Sequence, residues 1–349
     1  GHIFPAVAIA ESLKKEGITQ IVFAGRKDSM EERLLASSWA YEYITAEPLH
    51  RGSFLNNLAL PFKLSKSLVT AKAVLKRVAP DVIVATGGYV SLPIVYAAGS
   101  FGIPVYLQEQ NAVAGLANKV GARYAKKIFV TSSEAASFFP EGKTEIYGNP
   151  VRALPEASTL ERPKEFPEGK KCVFITGGSQ GALGINRKIE ESIKEIIADT
   201  SLSVVWQVGS KHVESFQERL GNLPNVSIVG FVNNVYAYFQ YADLIVSRAG
   251  ASALAEILAF GKPSVLLPFP HATANHQEKN ARVVEKAGAA LVELDDEPNQ
   301  LWTKISDLLN NDTKRGQMAE QAKNLGMPDA ADRIAKAILK MEKYYAKNA

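Results

Sequence analysis

Val173-Phe174-Ile175-Thr176-Gly177-Gly178-Ser179-Gln180-Gly181-Ala182 opens as an apolar strand, breaks on a glycine-rich turn and runs on into a helix. A strand that is apolar at successive positions is buried on both faces, as strands are inside a parallel sheet covered by helices. Glycines at such a strand-to-helix turn let the backbone approach a phosphate closely. The helix start adds free N–H groups and a partial positive charge. Ser179 contributes a hydroxyl donor. A turn that needs glycine only for its backbone would read the same way. The Gly-x-Gly-x-x-Gly spacing is missing, and the next expected strand, 203–207, ends in Gln207-Val208-Gly209 rather than in an acid for a ribose. A nicotinamide enzyme is therefore disfavoured.

Working outward, the same pattern recurs in the first half of the chain. Val82-Ile83-Val84-Ala85-Thr86-Gly87-Gly88 is again an apolar strand running into Thr-Gly-Gly. Short apolar runs alternate with longer amphipathic segments throughout. Strands are predicted at 20–24, 43–45, 82–86, 105–108, 127–130 and 145–147, then at 171–176, 203–207, 226–229, 244–247, 264–267 and 290–293. Helices are predicted at 5–16, 30–37, 62–78, 93–101 and 116–124, then at 182–198, 211–220, 235–240, 251–259, 277–286 and 300–310. A last helix, 329–345, follows Pro328 and is expected to return to the first domain. Residues 153–170 are rich in Pro, Glu and Lys with little periodicity, which marks a linker. The expected organisation is an α/β chain of two Rossmann-like, doubly wound parallel-sheet domains: 1–152 joined by the helix 329–349, and 164–328, with 153–163 between them. The opening Gly1-His2-Ile3-Phe4-Pro5 leads straight into a helix with no strand before it, so a missing N-terminal segment is expected.

A length of 349 residues fits two such cores. The single cysteine, Cys172, excludes disulfides and cysteine-rich zinc sites and suits a reducing compartment. No run of 18 or more apolar residues occurs. A net charge of +4 is too small to argue for nucleic acid, and none is expected as a partner. Its distribution says more. Between Arg51 and Arg77 lie Lys63, Lys66, Lys72 and Lys76 with no acid, beside Phe54, Leu55, Leu58, Leu60, Phe62 and Leu64. Basic residues next to exposed apolar ones suggest an anionic membrane surface. A core helix with a solvated basic face is the plainer alternative.

Three further stretches carry chemistry. Thr86-Gly87-Gly88-Tyr89-Val90-Ser91 is a second phosphate-capable turn; one such loop per domain suits two diphosphates facing each other across a cleft, on a nucleotide-sugar donor and on an acceptor. Ser247-Arg248-Ala249-Gly250-Ala251 follows a strand, with Arg248 able to offset phosphate charge and Gly250-Ala251 starting another helix. Glu256 on that helix suits ribose hydroxyls, unless it is a structural acid paired with a lysine. Asn275-His276-Gln277-Glu278-Lys279-Asn280 offers the mixed donors and acceptors that sugar hydroxyls demand, although helix capping by Asn275 explains part of it.

Together these residues resemble the family of UDP-N-acetylglucosamine–N-acetylmuramyl-(pentapeptide) pyrophosphoryl-undecaprenol N-acetylglucosamine transferases, the MurG type. The resemblance runs in order from Gly1-His2-Ile3-Phe4-Pro5 through 86–93, Gln108-Glu109-Gln110-Asn111, Gly148-Asn149-Pro150-Val151-Arg152, 176–182 and 248–256 to 276–280. It implies the two-domain GT-B fold and inverting transfer of N-acetylglucosamine from UDP-GlcNAc to the C4 hydroxyl of a lipid-linked N-acetylmuramyl-pentapeptide, lipid I to lipid II, in peptidoglycan and cell-wall synthesis. It also implies a peripheral protein at the cytoplasmic face of the bacterial cell membrane. On the donor side it implicates Asn111, Arg152, Ser179, Val232 through its backbone, Ala251, Ser252, Ala253, Leu254, Ala255, Glu256 and Gln277; Arg248 joins them from the motif reading. Arg51, Gly87, Gly88 and Tyr89 match the acceptor side. His2 is the candidate general base and Glu109 the reserve, and an ordered His2 that only orients substrate is the alternative. The sequence departs from the family where the glycines and strand before His2 are absent, and at Gln108, where many members carry His.

No Asp-x-Asp occurs in the chain. No protein-bound metal and no required cofactor are expected, although a divalent cation would ride on the UDP diphosphate. Three other readings fit the same fold: a diacylglycerol glycosyltransferase, a UDP-GlcNAc 2-epimerase, or a non-catalytic UDP-sugar binder. Release of UDP that depends on the lipid-linked muramyl acceptor separates all of them from the first.

Overall fold

Every strand pairing among the described residues is parallel. The computed structural model describes residues 2–46, 60–178 and 180–348. The chain divides into two compact units, Gly1–Arg152 with Asp329–Ala349, and Ala153–Pro328.

The first unit runs α1 (Ile3–Lys15), β1 (Val22–Gly25), α2 (Met30–Leu35), β2 (Ala40–Tyr43), α3 (Leu60–Val78), β3 (Ile83–Ala85), α4 (Ser91–Ser100), β4 (Val105–Glu109), α5 (Leu116–Gly121), β5 (Ala125–Val130), α6 (Ser133–Ala136) and β6 (Thr144–Ile146). Strands β3 to β6 form one sheet in chain order, and β1 pairs with β2. Strand β4 is buried at every position, and its side chains alternate between two cores. Val105 and Leu107 point to one, while Tyr106 packs in the other with Phe129 and Ile9.

The second unit runs β7 (Lys171–Thr176), α7 (Leu183–Glu191), α8 (Ile193–Ala198), β8 (Leu202–Gln207), α9 (Val213–Leu220), β9 (Val226–Val229), α10 (Val235–Tyr241), β10 (Leu244–Ser247), α11 (Ala251–Ala259), β11 (Ser264–Leu266), α12 (His276–Lys286), β12 (Ala290–Val292), α13 (Leu301–Leu309) and α14 (Asp312–Leu325). Its sheet has the order β12-β11-β10-β7-β8-β9. Burial on both faces is what makes β7 continuously apolar: Val173 and Ile175 enter one core, Cys172 and Phe174 the other. The last helix, α15 (Ala330–Asn348), belongs to the first unit, where Ile334 and Ile338 cover the face of β4 and β5 that carries Tyr106 and Phe129. Ser12 of α1 donates to Asp332 at 2.6 Å.

Several boundaries move. The strand expected at 43–45 lies at Ala40–Tyr43. The helix expected at 182–198 is two helices, because Ser192, a weak helix former, leaves the helical basin at φ −102° and ψ 14°. Helix α14 was not expected. It buries only Met318 and Ala322, so its apolar face is too thin to read; its start is marked instead by Asn311, whose side chain accepts from Lys314 N at 2.9 Å. No helix among the described residues is long and apolar enough to cross a membrane.

Candidate active site

The second unit places its reactive loops by topology. Its strand order reverses between β7 and β10, so the connections leaving these neighbours depart to opposite sides and open a crevice at their C-terminal ends. Both strands lead there into helices whose N-caps, Ala182 and Gly250, have no side-chain capping bond. The first intrahelical bonds are Asn186 N to Ala182 O and Leu254 N to Gly250 O, both 2.9 Å. The N–H groups ahead of them face a cavity of about 1280 Å³ lined by Gly177, Gly181, Ala182, Arg248, Gly250 and Gln277. Two uncapped helix starts converging on one cavity suit an anion such as a diphosphate.

Glycine is required in the first of these turns. Gly178 and Gly181 have φ of +80° and +76°, and a Cβ on Gly181 would lie 2.0 Å from Val208 O. A Cβ on Gly177 would lie 2.3 Å from Ala182 N. The turn is braced by Thr176 Oγ1, which accepts from Gly178 N at 3.0 Å, and by Gln207 Nε2, which donates to Gly178 O at 2.8 Å. Ser179 lies outside the described residues.

Several side chains are more committed than the sequence implied. Arg248 forms a two-pronged ion pair with Asp295, at 2.7 and 2.9 Å, and donates to Leu267 O and Pro268 O. Its charge is thus already offset by Asp295, so any phosphate it meets shares it with that carboxylate. The Val232 N–H donates to Gln207 Oε1 at 3.2 Å, so a backbone contact from Val232 falls to its carbonyl. Glu256 accepts from Tyr236 at 2.9 Å. Gln277 accepts from Phe269 N at 3.0 Å, which leaves its amide NH₂ on the cavity side. Along α11, Ala253 lines the cavity while Leu254 is buried in the core. Ala251 and Ala255 are half-buried, as is Ser252, whose hydroxyl has no protein partner. Burial pushes the Cys172 thiol up to about 11, which removes it as a nucleophile.

In the first unit, Gly87 and Gly88 have φ of +96° and +80° and lie under the ring of His2. Thr86 Oγ1 donates to His2 O, and His2 Nδ1 lies 2.8 Å from Thr86 O, both at 2.8 Å. A proton on Nδ1 satisfies that carbonyl and leaves Nε2 as the basic nitrogen. The side-chain amide of Gln110 also meets His2 Nδ1, and with that proton in place it must turn its otherwise unpartnered oxygen to the ring. Tyr89 is exposed and accepts from Arg26 at 2.7 Å. Arg152 lies over the Phe4 ring at 5.5 Å. Arg51 lies outside the described residues.

Glu109, the reserve candidate for the base, is engaged in the loop that follows its strand. It is buried, and its two oxygens accept from Asn111 N, Asn111 Nδ2, Gly115 N and Asn118 Nδ2 at 2.9 to 3.3 Å. The carboxylate organises the loop after β4 and holds Asn111 in place.

Residues 1–130 match the glycosyltransferase family 28 N-terminal domain and residues 172–334 its C-terminal domain. A UDP-N-acetylglucosamine–N-acetylmuramyl-(pentapeptide) pyrophosphoryl-undecaprenol N-acetylglucosamine transferase of Salinibacter ruber is 38% identical over 100% of this chain and 96% of its own length. The chain belongs to this MurG-type family. A relative of the same name from Limosilactobacillus fermentum is 35% identical over 97% of this chain and 95% of its own. The crystal structure of Acinetobacter baumannii MurG superposes with a TM-score of 0.78 at 27% identity, covering 97% of this chain and 96% of that one. A UDP-N-acetylglucosamine 2-epimerase structure, at 15% identity and TM-score 0.71 over 98% of this chain and 93% of that one, shares the fold. The fold is the GT-B class expected from the sequence, and the chain is a glycosyltransferase.

Within this family frame, Gln207 is the residue that sequence reasoning passed over. It is buried and joins the glycine turn to the Val232 segment through Gly178 O and Val232 N. Its signal was its place at the end of the strand beside β7, where an acid was sought and an amide stood.

Proposed function

We propose that this protein transfers N-acetylglucosamine from UDP-GlcNAc to the C4 hydroxyl of undecaprenyl-pyrophosphoryl-N-acetylmuramyl-pentapeptide, converting lipid I to lipid II in peptidoglycan synthesis. The observation that carries this reading is the end-to-end similarity to relatives whose names state that donor and acceptor. Its physical support is the pair of uncapped helix starts at the switch point of the second unit.

In the proposed step the acceptor oxygen bonds to the anomeric carbon from the face opposite the nucleotide. The bond to the β-phosphate oxygen breaks, its electron pair leaves with UDP, and the configuration inverts. The acceptor proton passes to His2 Nε2, a contribution of about 10²–10⁴-fold for a well-placed base. Charge growing on the leaving diphosphate meets the N–H groups at the starts of α7 and α11, already oriented before the reaction. Gln277, Glu256, Asn111, Arg152 and Val232 remain the proposed donor contacts, and Gly87, Gly88 and Tyr89 the acceptor contacts. The reading includes no protein-held metal; any divalent ion travels with the diphosphate.

The protein is proposed to work at the cytoplasmic face of the membrane, held to the anionic surface by the first unit. Helix α3 supports this, because Phe62, Lys66, Val69 and Lys76 are exposed and share one face at helical spacing.

The test is release of UDP with and without the lipid-linked muramyl acceptor. Release that requires the acceptor supports the reading. Conversion of the donor without acceptor would make the protein an epimerase, and binding without release would make it a non-catalytic binder.

A further inference from the structure

We propose that Asp295 biases the donor cavity against the nucleoside diphosphate product, so that the nucleotide-sugar is favoured over the nucleotide left behind by transfer. The proposal rests on reading this cavity as the UDP-GlcNAc site.

The carboxylate of Asp295 is fixed in place. Both its oxygens take the Arg248 fork, and a Cβ built on Gly184 would lie 2.2 Å from Oδ2, so the carboxylate lies against the first turn of α7. Its segment is pinned to that helix by Arg187, which donates to Asp295 O at 3.1 Å, and by Lys188, which donates to Glu297 O at 2.9 Å. Asp295, Arg248 and Gly184 all line the cavity, together with Gly177 and Ala182 of the glycine turn. One acid therefore offsets the guanidinium and stands at the helix start that the diphosphate is proposed to use.

The chemistry of the ligand makes this selective. In a nucleotide-sugar both phosphates are esterified and neither can ionise a second time near neutral pH. UDP ends in an unesterified terminal phosphate whose second ionisation falls at about pH 6. Product therefore carries one more negative charge than donor, and carries it on the phosphate that was bonded to the sugar. A fixed carboxylate nearby repels that extra charge, while a free Arg248 would attract it. A purely structural Asp295 would affect donor and product alike.

Calorimetric affinities for UDP and UDP-GlcNAc, at about pH 8, test this on the wild type, Asp295→Asn and Asp295→Glu. Asp295→Asn is expected to tighten UDP relative to UDP-GlcNAc by about three- to tenfold, the size of one charge interaction across several ångströms of partly wet protein. Asp295→Glu, which keeps the charge, is expected to return the ratio towards wild type. In turnover, the inhibition constant for UDP should fall against the donor KM in the same proportion. An unchanged ratio in Asp295→Asn overturns the proposal, including the case where both affinities weaken equally through local unfolding. A wild type that binds neither nucleotide overturns the donor-site reading and this proposal with it.

Discussion

Asn118 donates from Nδ2 to Oε2 of Glu109 at 2.9 Å, in a place where both residues are 1% exposed. A carboxylate with acceptor bonds from Asn111, Gly115 and Asn118 is a structural anchor. Glu109→Ala should leave those donors unmet and lower stability by about 2–4 kcal/mol, read as a shift of the urea midpoint. The pH dependence of kcat in the surviving folded enzyme should keep its shape. Loss of a single ionisation from that profile, with unchanged stability, would restore Glu109 as the base.

His2 behaves oppositely. Its backbone carbonyl, not its ring, receives the Thr86 hydroxyl, so His2→Ala keeps that bond and the turn it closes. The substitution should lower kcat by about 10²–10⁴-fold and change UDP-GlcNAc affinity by less than about twofold. Single-turnover rates beside donor binding would separate the two, and an unchanged kcat removes His2 from proton transfer.

Gly181→Ala tests the turn itself. At φ +76°, with a Cβ 2.0 Å from Val208 O, alanine meets both left-handed strain and a backbone clash. The first alone costs about 1–2 kcal/mol. UDP affinity should fall by tenfold or more by calorimetry, because the backbone that forms the turn must move. Binding at wild-type strength would place the nucleotide elsewhere.

What the sequence made legible was whatever a local pattern encodes. Continuous apolarity in β7 gave a doubly covered parallel strand, and the glycines after it gave a turn whose φ values only glycine takes up readily. The order of strands is a property of pairing rather than of any one segment, so the switch point between β7 and β10 could not be read locally. Arg248 and Glu109 show the same limit in side chains. A guanidinium and a carboxylate look available in sequence, and only the fold reveals that Asp295 offsets one and the loop after β4 uses up the other.

The buried pair of Lys188 and Glu293 makes stability depend on acid. Burial pushes the Glu293 carboxyl up, but hydrogen bonds from Lys188, Lys304 and Gln300 N outweigh it and hold it below its ordinary value of 4.5. A depressed acid contributes its full stability above that ordinary value and loses it as pH falls through the folded one. Urea midpoints should therefore drop below about pH 4.5, with a smaller drop in Glu293→Gln. At neutral pH Glu293→Gln should cost about 3–5 kcal/mol, since Lys188 remains buried with less compensation. Equal acid sensitivity in both proteins would assign the effect to other carboxylates.

The exposed face of α3 yields the last prediction. Phe62 is 76% exposed and Val69 is 67% exposed, whereas Ala71, Val74 and Leu75 supply the face buried in the core. The helix therefore packs without Phe62 or Val69, which leaves both beside Lys66 and Lys76 on the face proposed to meet the membrane. Insertion of the apolar pair and attraction of the lysines should act together, because apolar burial and each lysine near an anionic surface contribute on the order of 1 kcal/mol apiece. Phe62→Glu with Val69→Glu should then weaken co-sedimentation with vesicles containing anionic lipid by tenfold or more, while leaving the melting temperature and UDP affinity near wild type. Binding to purely zwitterionic vesicles should be weak for both proteins. Equal sedimentation of wild type and double variant on anionic vesicles would mean that this face is solvated and that the membrane is met elsewhere, or not at all.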